Sequence, residues 1–353
     1  MPETTEKLQL FKYDTVADAK QKFNIKKALN ENFDKIDNAI SGMDDTLTDL
    51  QEKKIRAVTN GIYEPVDLTV KHADEIAEEH GGNAWAWIQS RIRAVNFKGI
   101  NIEDYIPIKL TGGTIGGEFV VPQNLALNMQ VGGIDTYYNY GDTPIPHHID
   151  FVSSHTLGAT TTWNDGNTNN GTAAQPNPYL SSKVYAILNG VNNYTTSAQG
   201  SLKHGLNCSS GGVLQMLPQE CQDVLITKRN WMEEQYSSSA QTVQPTGHGW
   251  VDMGKVFPFH EVEVCAYQPN SYNRGEAGNI DNLTRNMTRQ YPIFAQSTRI
   301  RCNAQTGARQ PYWLCCPSGR SAANVCHVYS NGHMNQHGAT NTTISLCFGF
   351  RVA

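Results

Sequence analysis

Apolar residues at Leu29, Phe33, Ile36, Ile40, Met43, Leu47 and Leu50 recur at alternating intervals of 4 and 3 residues. This is an a/d heptad seam sustained for about three heptads, with Asp, Lys, Asn and Thr between its members. A helix packed on its own domain carries a wider apolar face than two positions in seven, so the seam predicts self-association. Its mixture of Ile, Leu, Met and Phe does not by itself separate a dimer from a trimer. The pattern breaks at Asn60-Gly61 and Glu64-Pro65. An acidic helix is expected from Val70 to Glu79, ending at Gly81-Gly82. Asn83 then caps a second helix, AWAWIQSRIRAV, with Trp85, Ile88 and Ile92 on one face and the tryptophans as packing residues.

From Asp104 the pattern changes to short alternating or continuous apolar runs between Gly-rich turns: YIPIKL, GEFVV and NLALNMQV. Residues 163–177 read as a long polar loop. PYLSSKVYAILNGV and LPQECQDVLITKR read as helices, Asn230 to Gln244 as loop, and GWVDMGKVFPFHEVEVCAY as strand. A further Asn/Arg-rich loop is expected over 269–290. Near the end, a strand begins at Trp313-Leu314, NVCHVYS forms another, Asn331-Gly332 makes a hairpin turn, and SLCFGFRV closes the chain. The expected fold class is α+β in three parts. These are a coiled-coil segment (1–58), a helical collar (59–103) and a β-rich domain (104–353) whose first strands lead in over 104–146.

Composition sharpens this picture. Only 17% of residues are charged and the net charge is -5, which suits loop-rich β structure and offers no basic surface for nucleic acid. No apolar run reaches the roughly 20 residues of a membrane span. The opening residues lack the basic-then-apolar form of a secretory signal, so the expectation is synthesis in a cytoplasm and, if the chain acts outside, release by lysis or with an assembled particle. The eight cysteines show no CxxC or zinc-like spacing and are expected as buried free thiols.

Several separated motifs then carry a resemblance. HHIDFVSSHTLG, NPYLSSKVYAILN, LPQECQDVLITKR, KVFPFHEVEV, QYPIFAQ, YWLCCPSGRSAANVCHVYSNG and FGFRV occur in this order over roughly residues 84–353. Together they resemble a family of phage and prophage proteins from gut bacteria. The terminal Gly349, Phe350, Arg351 and Val352, preceded by the strand at Trp313-Leu314, resemble the C-type-lectin-like fold of phage tropism proteins and formylglycine-generating-type domains. In such phage proteins a stable frame displays variable side chains, sometimes diversified by a retroelement. The resemblance implies a virion protein, located in a tail or head fibre: a homotrimer joined to other virion proteins through its N-terminus. It would attach reversibly to a glycan or protein of the bacterial surface, with no cofactor, no nucleic acid and no membrane insertion.

Residues 320–343 are rich in Asn, Ser, His, Thr and Tyr, a mixture that gives contact area and adaptable hydrogen bonding. The expected ligand-binding residues are Arg320, Asn324, His327, Tyr329, Asn331, His333, Asn335, His337 and Asn341. Catalysis and a resident metal are not expected. There is no GxSxG, HExxH, P-loop or suitably placed GxGxxG. His147 and His148 are adjacent and face opposite sides of a strand, although Asp150 could accompany His148. His327, His333 and His337 straddle a turn without fixed geometry. A rival enzyme reading rests on Glu261 and Glu263, alternating on one face of an expected strand as the paired carboxylates of a capsule-degrading glycosidase, which stand roughly 5–9.5 Å apart. A second rival is a purely structural head-fibre, decoration or baseplate protein.

Overall fold

The computed structural model describes residues 3–4, 11–12, 30–40, 43, 64–193, 195–196, 202–236, 246–271 and 287–353. The chain forms two compact units, Met1–Glu64 and Pro65–Ala353. In the first, β1 (Glu3–Thr4) and β2 (Phe11–Lys12) pair antiparallel, and residues 31–40 form helix α1. Of the heptad seam, Phe33, Ile40 and Met43 are 58%, 54% and 61% exposed and Ile36 is half-buried. Leu29, Leu47 and Leu50 lie outside the described residues.

The second unit opens with three helices, α2 (Leu68–Lys71), α3 (Ala73–His80) and α4 (Ala84–Arg93). Gly81 ends α3 in the left-handed conformation. The Asn83 side chain accepts from the backbone N–H groups of Trp85 and Ala86 at 3.0 and 2.9 Å, capping α4 as its sequence predicts. These helices are not a separate collar. Trp85, Trp87, Ile88 and Ile92 are buried in the same core as the strands, and Trp85 stands edge-on to Phe151 and Phe350 at 5.2 and 5.5 Å. An amphipathic face so wide needs a partner, and the sheet supplies it. The expected boundary at 103/104 is therefore absent, and the one at 58/59 falls instead at 64/65.

The chain continues through β3 (Tyr105–Leu110), β4 (Gly113–Ile115), β5 (Phe119–Val121), β6 (Leu125–Ile134), β7 (Ile149–Ser153) and β8 (His155–Thr156). Next come α5 (Lys183–Asn189), β9 (Thr195–Thr196), β10 (Leu202–His204), α6 (Val213–Met216) and α7 (Gln219–Val224). Then follow β11 (Leu225–Ile226), β12 (Arg229–Glu234), β13 (Gly247–Asp252), β14 (Val256–Phe257) and α8 (Glu261–Cys265). The last elements are α9 (Pro292–Gln296), β15 (Arg301–Asn303), β16 (Arg309–Gln310), β17 (Tyr312–Pro317), β18 (Asn324–Val328), β19 (Met334–Gly338) and β20 (Gly349–Val352). Both kinds of element are interleaved, and the fold is α+β.

The main sheet is antiparallel, in the order β11-β20-β7-β6-β3, with β14 also on β20. The C-terminal strand therefore lies inside the sheet. Gly349 is required there, because a Cβ would stand 2.6 Å from the Phe151 carbonyl oxygen. Directly opposite each other in the β20–β7 register, Arg351 and Asp150 form a bidentate pair at 2.8 and 2.9 Å. His148 Nε2 lies 3.4 Å from the same carboxylate. Burial opposes the charge on Asp150, but Arg351 and His148 outweigh it and hold the carboxyl well below the usual carboxylate range.

Three expectations for secondary structure fail. The helix expected over LPQECQDVLITKR ends at Val224, and Leu225–Ile226 is strand β11, paired with β20. Residues 230–234, expected as loop, belong to β12, which pairs with β13 through Trp231 opposite Trp250. The segment from Glu261 to Cys265, expected as strand, is the short helix α8. The His260 Nδ1 accepts from Val262 N–H at 3.1 Å, and Glu263 Oε2 accepts from His260 N–H at 2.8 Å. This reciprocal cap favours the helical turn over extension. All eight cysteines are free thiols, seven of them buried and Cys302 half-buried.

Candidate functional site

The display region is built on a three-stranded antiparallel sheet, β17-β18-β19. Val328 pairs with Met334 and His327 with Asn335. The turn between them closes through Tyr329 N–H to the His333 carbonyl and Gly332 N–H to the Tyr329 carbonyl, each 2.8 Å. Gly332 takes a φ of +82°, which an L side chain resists, so the Asn331-Gly332 signal is met by the expected turn. Below the hairpin, the Asn169 side chain donates to the carbonyls of Ser321 and Asn324 at 2.7 and 2.6 Å. The polar loop 163–177 thus braces the hairpin from within, with Asn164, Asn169, Asn170 and Asn177 all buried.

An open cleft of about 590 Å³ lies against the turn, lined by Arg320, Asn331, Gly332, His333 and Met334 on one side and by Tyr267, Pro269, Asn270 and Arg299 on the other. Three remote segments are fastened to make it. Asn270 N–H, Asn270 Nδ2 and Ser271 N–H donate to the buried carboxylate of Glu261 at 3.1, 2.8 and 2.8 Å. Gly319 N–H then donates to the Asn270 carbonyl at 2.8 Å, fixing the loop that carries Arg320. The segment of Arg299 is held because Tyr312 OH donates to the Arg299 carbonyl at 2.8 Å. Next to it, Ile300 packs so closely under Gly332 that an added Cβ would lie 3.2 Å away.

Of the nine residues expected from sequence, the cleft gathers Arg320, Asn331 and His333. Tyr329 is 47% exposed beside it. Asn335 and His337 are exposed along β19 and Asn341 is half-buried, with the Asn341 side chain 3.1 Å from the His337 ring. Asn324 is half-buried at the foot of β18. His327 departs from expectation: it is 1% exposed, edge-on to Trp313 and Tyr329 at 5.9 and 6.1 Å. Burial, helped by the nearby His337, pushes its pKa down to about 4. It backs the display surface rather than forming it, because both faces of β18 are covered. Tyr267, Pro269, Asn270 and Arg299 were not expected; no linear pattern joins them to residues 320–343.

The carboxylates of the rival enzyme reading are inaccessible. Glu261 and Glu263 are both fully buried on α8. Glu263 accepts from Tyr137 OH at 2.8 Å and pairs with the buried Lys228, while Glu261 anchors Asn270 and Ser271. Neither can reach a saccharide. The adjacent histidines also diverge: His147 Nδ1 lies 2.6 Å from Asp135 and its ring stacks on Tyr138 at 3.8 Å, while His148 turns into the core. Among the described residues, one group has metal-ligand geometry, Glu261 with Cys316 and Cys326, whose ligand atoms lie within 4.8 Å of one another. Two thiols and a carboxylate suit a soft or borderline cation. The set is sealed, however, and burial first, then the neighbouring Cys316, raises the Cys326 thiol pKa well above normal. No family model, curated protein or solved structure matches this chain.

Proposed function

We propose that this chain is a fibre or receptor-binding subunit of a bacteriophage virion, attaching reversibly to the bacterial surface through a C-type-lectin-like display domain. The observation that carries this reading is the construction of the cleft. Arg, Asn, His and Tyr side chains from four separate segments surround one open surface, and each segment is held by hydrogen bonds of its own. A rigid frame carrying adaptable polar and aromatic contacts is the arrangement of a recognition surface.

The exposed apolar seam of α1 supplies the second half of the reading. Large apolar side chains at Phe33 and Ile40 on this short helix, and at Met43, are covered when copies of this chain associate through a coiled coil, here a homotrimer. The rest of the N-terminal segment then serves to join other virion proteins. Multivalency raises the avidity of weak individual sites by about 10²–10⁴ when the spacing fits the target.

The test compares binding to host cells by the full chain and by a Phe33→Asp/Ile40→Asp variant. Strong binding by the former, and binding reduced at least about tenfold in the latter, is the expected result. Absence of cell binding by both proteins would favour the structural decoration role.

A further inference from the structure

We infer that the cleft between the 267–270 loop and the β18–β19 turn takes an acidic saccharide, a pyranose residue bearing a carboxylate or sulfate; this rests on the receptor-binding reading and names its ligand class. The charge is the first argument. The cleft is lined by two arginines and a histidine, Arg299, Arg320 and His333, and among the described residues none that lines it is acidic, although the chain as a whole has a net charge of -5. Neither guanidinium is paired with a carboxylate among the described residues, whereas Arg91, Arg229 and Arg351 all are. The carboxylate behind the wall, Glu261, is buried and engaged by Asn270 and Ser271, so it does not fill the role of counterion at the surface.

Shape and polarity supply the second argument. Tyr267 is 49% exposed at the rim, and an open aromatic face stacks on the apolar face of a pyranose ring. Asn331 Oδ1 is occupied in accepting from His333 N–H at 3.0 Å, so its amide NH₂ remains to donate to a sugar oxygen. The planar guanidinium fork matches a carboxylate or sulfate with two parallel hydrogen bonds. An aromatic platform, an amide donor and a pair of arginines at one open cleft together fit an acidic sugar better than a neutral sugar or an apolar group.

The experiment uses the full chain and calorimetric titration with three probes: oligogalacturonate, α2,8-linked oligosialic acid and a heparin hexasaccharide. Maltohexaose is the neutral comparator. The expected result is binding of at least one acidic probe with no binding of maltohexaose, weakened by raising salt from 50 to 500 mM. Arg299→Gln and Arg320→Gln should each weaken that binding by about tenfold or more. Arg299→Lys should restore only part of it, since Lys keeps the charge but loses the fork. Circular dichroism and thermal midpoints should match the parent, as both side chains reach the surface. Binding of none of the acidic probes, or binding indifferent to both substitutions, overturns the inference. If cells are still bound under either of those outcomes, the receptor reading stands with another ligand class; if cells are not bound either, that reading fails too.

Discussion

Replacing Arg351 by Met tests whether the C-terminal strand is locked into the sheet by a buried ion pair. Arg351 makes two hydrogen bonds to Asp150 across the β20–β7 pairing, at 2.8 and 2.9 Å, with both side chains 1% exposed. Methionine keeps much of the packing against Tyr137, whose ring lies 5.2 Å from the guanidinium carbon. It leaves the Asp150 carboxylate in a dry site without its guanidinium partner, beside the His148 ring. Stranding one partner of a buried pair costs about 3–5 kcal/mol. Asp150→Asn should cost a similar amount, because an arginine does not shed its proton to escape the site. The double variant should be less destabilised than the sum of the singles by at least about 2 kcal/mol, since the second change removes the stranded charge. Urea unfolding at pH 7, followed by tryptophan fluorescence, gives all three values. A loss below about 1 kcal/mol for Arg351→Met, or simple additivity in the double variant, would refute the argument. The sign with pH is also fixed. A folded-state pKa held below the unfolded value stabilises above about pH 4, and that contribution is lost as pH falls further.

Three other outcomes follow from the same structure. His327, whose folded pKa of about 4 lies below the ordinary histidine value of 6.5, stays neutral where the unfolded chain takes up a proton; stability should fall by about 2 kcal/mol between pH 7 and pH 5, and His327→Gln should flatten that slope in urea titrations. Thiol titration of the native protein with a charged disulfide reagent should find Cys302 as the reactive cysteine, with all eight reacting in guanidinium, because the other seven are buried; fast reaction of more than two native thiols would contradict this packing. Sedimentation equilibrium should find the full chain oligomeric and the Phe33→Asp/Ile40→Asp variant monomeric, because an aspartate pair in the seam leaves two charges in an apolar contact.

What was legible in the sequence was local. The Asn83 cap, the Gly81 stop and the Asn331-Gly332 turn each satisfy a backbone need within a few residues, so their residue types announce them. α8 was misread because Val262 and Val264 alternate with Glu261 and Glu263, and five residues buried on every side carry no face from which to read a period. The signal that would have corrected it is the capping box, with His260 at the cap and Glu263 three positions on. The same carboxylates were read as a surface pair because charge is assumed to face water. Here Lys228, Tyr137 and the 270–271 amides supply the partners that let them be buried. β12 was taken for loop because Asn230, Glu233 and Glu234 hide its alternation, and its pairing partner β13 lies beyond a polar stretch. Half of the cleft was out of reach for a different reason. Tyr267, Asn270 and Arg299 meet Arg320 and His333 only through the long-range hydrogen bonds that close the fold.

The most direct test of recognition at the cleft is adsorption of the labelled full chain to host cells, compared with an Arg320→Ala/Asn331→Ala/His333→Ala variant of unchanged thermal midpoint. Saturable binding by the parent, lost in the variant, is the predicted result. Equal binding by both proteins would contradict the assignment of this cleft as the surface that meets the host.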